Sequence, residues 1–212
     1  LEFLTDPDVG DKILCADMTS TLLSRPVDIS KYGVIYASAG KNLGPAGATC
    51  VIVRDDLLDK ALPGCPGIIN YKSQATSQPI PNIYNTPPTY ILYLINLTME
   101  HLKAEFGTLE NVEKRAIKRA GMVYDIIDNS DGFYNNNVDP TYRSRMNCVF
   151  RIKGGDRNLE DLFTKESAAQ GLEQLFGHPL MGGNRITLYN AIHDESVDLV
   201  VKFMKDFMEK YR

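Results

Sequence analysis

Two short apolar, β-branched runs, Val34 to Ala37 and Ala48 to Val53, flank a loop of small residues, Ser38-Ala39-Gly40-Lys41-Asn42-Leu43-Gly44-Pro45-Ala46-Gly47. Nothing else in the chain constrains the fold as tightly, because runs of this length and composition read as buried strands meeting at a turn. Lys41 stands at the centre of that loop. Most lysines keep their ammonium in water, but one set among Ala and Gly between strands is expected to be partly buried, which disfavours the charged form. A neutral amine is a nucleophile towards carbonyls, so Lys41 is a candidate for Schiff-base chemistry. The alternative is an ordinary surface lysine in a loop between strands.

Upstream, Ile13 to Ala16 is an apolar run that ends at Asp17, the pattern of a buried parallel strand with an acid at its C-terminal end. Active-site groups of open α/β sheets collect at that end. Asp17 can equally cap a following Met18-Thr19-Ser20 helix start. After the second strand, Asp55-Asp56-Leu57-Leu58 suggests a helix with acid in its first turn, stopped by Pro63-Gly64. Ile68 to Pro81 is polar and proline-bounded, a long loop by composition.

The second half reads differently. Thr89 to Phe106 is a thickly apolar helix ended by Gly107, and Leu109 to Asp128 a helix with one apolar face. The opposite face of the latter, Glu110, Glu113, Lys114, Arg115, Lys118 and Arg119, is expected to be solvated. Met146 to Ile152 and Arg185 to Tyr189 read as strands, and Leu159 to Gln170 and Asp194 to Tyr211 as helices. The Val, Met and Phe stripe of the last helix is expected to be core.

Composition excludes several classes. With 212 residues, 43% of them hydrophobic, the chain can bury a substantial core as one large or two small domains. A formal net charge of −4 offers no basic field for nucleic acid or an anionic membrane. No apolar run approaches the roughly 18 residues of a membrane span. Cys15, Cys50, Cys65 and Cys148 are scattered without a paired motif, which suits reduced thiols in a cytoplasmic core better than disulfides or a zinc site, and no metal is expected.

An ordered set of motifs then resembles the phosphoserine aminotransferase family: Asp17-Met18-Thr19-Ser20, Ser24-Arg25-Pro26-Val27-Asp28, Tyr32 to Ala37, Lys41-Asn42-Leu43-Gly44-Pro45-Ala46-Gly47 and Val51 to Leu58. The likeness continues through Tyr84-Asn85-Thr86-Pro87-Pro88, Ile126 to Tyr134, Arg143 to Asn147 and Gly182 to Ala191. It implies an α/β fold of the pyridoxal 5'-phosphate (PLP) fold type I group. Residues 1–108 would be the C-terminal part of a PLP-binding large domain with a mostly parallel sheet, and residues 109–212 a small C-terminal α+β domain. A long segment would precede Leu1.

The resemblance also implies roles. Lys41 would be the catalytic lysine that holds the cofactor aldehyde, and Asp17 the partner of its pyridinium nitrogen. Asn85 and Thr86 would reach across a homodimer interface to the cofactor phosphate, a role compatible with capping the following helix. Arg185 would grip the substrate carboxylate in a forked pair, and His178 would help to hold the substrate phosphate. The implied reaction moves an amino group from glutamate to 3-phosphohydroxypyruvate, giving phosphoserine and 2-oxoglutarate in serine biosynthesis.

Two positions depart from the family pattern. Gly40 stands where glutamine usually donates to the cofactor phosphate, and Pro179 where arginine usually binds the substrate phosphate. They motivate two other readings, an aminotransferase with a different keto-acid acceptor and a non-catalytic homologue or fragment. Arg143, Arg145 or a residue upstream of this chain would be the compensating group.

Overall fold

The structure, a computed structural model, describes residues 5–178 and 180–212; Pro179 lies outside them. The chain forms two compact units, one of Pro7–Thr108 and one containing Leu109–Arg212.

In the first unit, β1 (Cys15–Asp17), β2 (Val34–Ser38) and β3 (Thr49–Val53) form a sheet in that order. β1 runs parallel to β2, with Asp17 opposite Tyr36, and β3 returns antiparallel, with Thr49 opposite Ser38. The described sheet is therefore mixed, with one parallel and one antiparallel pair. Period-2 alternation puts Ile35 and Ala37 inward. Ile35 packs with Met18 and Tyr32, while Ala37, Ala39 and Leu43 form a second cluster with Leu22, Leu23, Ala48 and Ile95.

Three expectations need correction here. Cys15 and Cys50 are exposed rather than core thiols, because β1 and β3 are the edge strands of this sheet; all four cysteines are free. The helix expected at Asp55 is a single 3₁₀ turn, Asp55–Leu57, in which Asp56 pairs with Arg54 instead of supporting a longer helix. The expected loop Ile68 to Pro81 contains a 3₁₀ turn, Gly67–Ile69, and a short helix, α1 (Tyr71–Ala75). Asn70 starts α1 by accepting the Ser73 N–H at 3.2 Å, a side-chain cap that a compositional reading passes over.

Helix α2 (Thr89–Phe106) has the expected span, ended by Gly107 at φ +71°, whose N–H donates to the Lys103 carbonyl at 3.0 Å. Its apolarity is only partly used within the unit: Leu102 is buried, whereas Tyr90, Leu92, Tyr93, Leu97 and Met99 are exposed.

The second unit is a four-stranded antiparallel sheet with three helices, α3 (Leu109–Asp128), α4 (Arg157–Ala169) and α5 (Asp194–Tyr211). Its strands are β4 (Tyr134–Asn135), β5 (Asn147–Ile152), β6 (Phe176–His178) and β7 (Gly182–Thr187), in the order β4-β5-β7-β6. Strands β4 and β6 have too few residues to show alternation in the sequence. One continuous core joins Val123, Ile126 and Ile127 of α3, Phe150 and Ile152 of β5, Phe163 of α4, Ile186 of β7, and Val200, Phe203, Met204 and Phe207 of α5. The apolar stripe of α5 is core, as its spacing predicts. Cys148 is buried in the same unit, which pushes its thiol up to about 12 and leaves it inert.

The polar face of α3 is not simply solvated. Arg119 is 1% exposed and donates to the carbonyls of Leu188 at 2.9 Å and Ile192 at 2.7 Å, while Arg115 donates to the Asn190 and Ile192 carbonyls and pairs with Asp194. Desolvation pushes Arg119 down to about 10, which still leaves it charged at neutral pH. The neighbouring small residues Ala116 and Ala120 leave room for it, and the carbonyls beyond β7 need donors.

Candidate active site

Asp17 ends β1, and its Oδ1 accepts the Thr19 N–H at 2.9 Å. This is a tight side-chain turn, followed by hydrogen-bonded turns at Thr21 and Leu22 rather than the helix that a capping role would require. The Thr19 hydroxyl accepts the Ser38 N–H at 3.2 Å, and the Met18 N–H donates to the Tyr36 carbonyl at 2.8 Å, so the segment after β1 is laced to β2. Hydrogen bonds from the Thr19 side chain and backbone hold the Asp17 carboxyl below its ordinary 3.8, against the opposing pull of burial. The Lys41 charge and the Tyr36 side chain lower it further. A depressed carboxyl keeps its charge until the pH falls through the lowered value, so Asp17 is a carboxylate throughout the neutral range.

Lys41 lies in the loop that joins β2 to β3. The Ala39 N–H donates to the Ala48 carbonyl at 2.9 Å and closes that loop. The Lys41 side chain is exposed, which corrects the expected burial: Ala and Gly neighbours are too short to cover a four-carbon stem. Its Nζ donates to the Ser20 Oγ at 2.7 Å. Asn42, 3% exposed, turns inward instead and donates to the Ser20 carbonyl at 3.3 Å.

The glycines of the loop have a steric reason. Gly44 at φ +142° and Gly47 at φ +124° face α2, where a Cβ would meet Ile95 Cγ1 at 3.4 Å and Ile91 Cγ1 at 3.2 Å. We expect Gly47→Ala to destabilise the protein by about 1 kcal/mol or more, since it combines positive φ with that contact. Chemical denaturation checks this, and an unchanged midpoint would show that the loop yields freely. At Gly40 an added Cβ would meet Ala46 Cβ at 3.1 Å, so a longer side chain requires Ala46 to give by a few tenths of an ångström.

The remaining candidates lie within their own units. Asn85 and Thr86 are exposed, and neither caps α2: Pro88 occupies the N-cap position and offers no side-chain cap. No hydrogen bond among the described residues joins them to Asp17 or Lys41. His178 and Arg185 belong to the second unit. His178, on β6, is exposed, and its Nδ1 accepts the Leu180 N–H at 3.2 Å, which leaves Nε2 as the donor of the neutral ring. Arg185, on β7, has a buried Nε without a hydrogen-bond partner among the described residues. Arg143 pairs with Asp128 at 2.7 Å and Arg145 with Glu113 at 2.6 Å, so both suggested compensating cations are already engaged. No cluster of metal ligands occurs among the described residues, and no described helix is long and apolar enough to cross a membrane.

Sequence reasoning named the acid and the amine but passed over the residues that orient them, Thr19, Ser20 and Asn42. The available signal was their position: each is a polar residue within four positions of a strand end.

An α/β unit with an ionised carboxylate at the end of one strand and a primary amine in the loop after its parallel neighbour fits a known family. The chain belongs to the aminotransferase class-V family, whose model matches residues 8–200. Among curated relatives, it is 48% identical over 204 residues to the phosphoserine aminotransferase of Burkholderia ambifaria strain MC40-6, covering 96% of this chain and 55% of that protein. It is 47% identical over 211 residues to the phosphoserine aminotransferase of Janthinobacterium sp. strain Marseille, covering 100% and 56%. Among solved structures, phosphoserine aminotransferase from Bacillus circulans subsp. alkalophilus superposes with a TM-score of 0.91 at 40% identity, over 99% of this chain and 56% of that one. PLP-bound phosphoserine aminotransferase from Trichomonas vaginalis gives 0.89 at 37% identity, over 96% and 56%. The chain thus spans about half the length of the relatives it matches.

Proposed function

We propose that this chain is part of a PLP-dependent aminotransferase that moves an amino group between glutamate and 3-phosphohydroxypyruvate, giving phosphoserine and 2-oxoglutarate in the cytoplasm. The observation that carries the reading is an ionised Asp17 at the end of β1 whose carboxyl is held down in part by the charge of Lys41, in the loop after the parallel neighbour β2. An accessible amine beside a carboxylate fits a cofactor that carries an aldehyde and a protonated ring nitrogen. When bound, PLP supplies an electron-accepting ring for the electron pair released as the substrate Cα–H bond breaks.

The chain's own residues do the rest. The Lys41 Nζ would be the amine that holds the cofactor, and as a general base and acid it would move the proton from the substrate Cα. Asp17, kept charged by Thr19, would hold the proton on the cofactor's ring nitrogen. Arg185 would offer its guanidinium fork to the substrate carboxylate. His178 would point Nε2–H at the substrate phosphate. Asn85 and Thr86, exposed before α2, would serve the cofactor phosphate of a second copy in a homodimer. Residues 1–108 would belong to the large cofactor-binding domain and residues 109–212 to the small α+β domain.

A second reading, an aminotransferase with an unphosphorylated acceptor, is favoured by Pro179 together with the prior engagement of Arg143 and Arg145. The test adds PLP to the purified protein, reduces with borohydride and maps peptides by mass. A pyridoxyl adduct on Lys41 is expected; its absence, with PLP reaching other lysines, would sink the site. Transamination assays with phosphohydroxypyruvate and hydroxypyruvate then separate the two acceptors. Pro179→Arg is expected to raise kcat/KM for the phosphorylated acceptor by about 10- to 100-fold, the worth of one charged phosphate contact. An unchanged ratio would show that position 179 does not face the phosphate.

A further inference from the structure

We propose that Ser20 is a positioning residue for Lys41: its hydroxyl fixes the lysine Nζ, and Asn42 holds Ser20. The inference rests on the reading of Lys41 as the reacting amine and extends it to a side chain that has no assigned role.

An exposed lysine has a flexible four-carbon stem and carries about 2 kcal/mol of rotamer entropy, so without an acceptor its amine is spread over a wide volume. Lys41 has such an acceptor, the Ser20 Oγ at 2.7 Å. The acceptor is itself fixed. The buried Asn42 side chain donates to the Ser20 carbonyl at 3.3 Å. Just upstream, Thr19 takes the Ser38 N–H and Met18 donates to Tyr36. Lys41 lies three residues beyond the end of β2 and its acceptor three residues beyond the end of β1, two strands paired in parallel, so their register helps to set both ends of the contact. Neighbours in sequence, Lys41 and Asn42, thus grip one residue by its hydroxyl and by its backbone.

The chemistry of the partner matters. A carboxylate in place of Ser20 would bind the ammonium and release the neutral amine, locking the charged form. A hydroxyl accepts from an ammonium and donates to a neutral amine, so it keeps its hold through both forms that a proton-carrying lysine must adopt.

Ser20→Ala, Ser20→Thr and Asn42→Ala test the idea in the otherwise unchanged protein. The readout is the rate of PLP attachment to Lys41, trapped with borohydride at timed intervals and quantified by mass, with thermal midpoints as the control for folding. We expect Ser20→Ala to slow trapping about tenfold, the loss of one hydrogen bond to a charged group, with little change in midpoint. Ser20→Thr should restore the rate, because it restores the hydroxyl. Asn42→Ala should slow trapping less, and the double substitution with Ser20→Ala should be no slower than Ser20→Ala alone, as for two residues acting through one contact. In steady state the Ser20→Ala loss should fall on kcat, with KM for the keto acid within about twofold. Trapping at the unchanged rate in Ser20→Ala, or failure of Ser20→Thr to restore it, would overturn the role of Ser20 while leaving Lys41 in place. No adduct on Lys41 in the unsubstituted protein would overturn the reading of the site and this inference with it.

Discussion

Lys41→Ala is expected to abolish the pyridoxyl adduct and to lower amino transfer by about 10²–10⁴-fold or more, the range lost when a positioned proton-transfer group is removed. The fold should not notice. Lys41 is exposed and its described side-chain contact is the single hydrogen bond to Ser20, so the stability change should stay within about 0.5 kcal/mol. Lys41→Arg separates charge from chemistry. The guanidinium keeps the positive charge that helps to hold Asp17 ionised, but it cannot serve as a neutral amine because it does not lose its proton. Equal inactivity of the Ala and Arg variants, with a measurable restoration by a small added primary amine, would show that the nucleophile and not the field is what the site needs. Activity retained in either variant would remove Lys41 from the mechanism.

How much of this was legible beforehand differs by element. The strands around Lys41 and helices α2, α3 and α5 announced themselves, because each has a period long enough to read against its flanks. Strands β4 and β6 have two and three residues, and no alternation can be seen in so few. The acid and the amine were visible because each ends an apolar run. Their orienting partners were not, since a hydrogen bond from Lys41 to Ser20 depends on the parallel register of β1 and β2, which the sequence does not state. Arg119 misled for a related reason. Its position on α3 looks solvated by composition, yet the carbonyls beyond β7 need donors and the guanidinium reaches them. The exposed side of α2 is the reverse case, an apolar pattern that reads as core and finds too few partners within Pro7–Thr108 to become one.

The largest effect on stability is expected from Phe163→Ala. Phe163 is 0% exposed, and its ring lies at centroid distances of 4.9 Å from Phe203, 5.1 Å from Phe207, 5.5 Å from Phe150 and 6.3 Å from Tyr134. It is the ring through which α4 is tied to both the sheet and α5, at edge-to-face angles that favour aromatic contact. Truncating it removes the transfer energy of the ring and leaves a cavity whose walls are other rigid rings, so little collapse can offset the loss. A cost of about 3–5 kcal/mol follows, a large share of the 5–15 kcal/mol that holds a typical protein folded. Phe163→Leu, which fills much of the same space, should lose markedly less. Urea denaturation of the two variants beside the unsubstituted protein measures both. A loss below about 1 kcal/mol for Phe163→Ala would mean that the surrounding rings repack. The consequence reaches the site residues of the same unit: β7 carries Arg185 and pairs with β5, whose Phe150 faces the Phe163 ring. On the proposed role of Arg185, the loss of support behind β5 and β7 loosens the strand that carries it, so Phe163→Ala protein that remains folded should show a raised KM for amino and keto acids before it shows a lowered kcat.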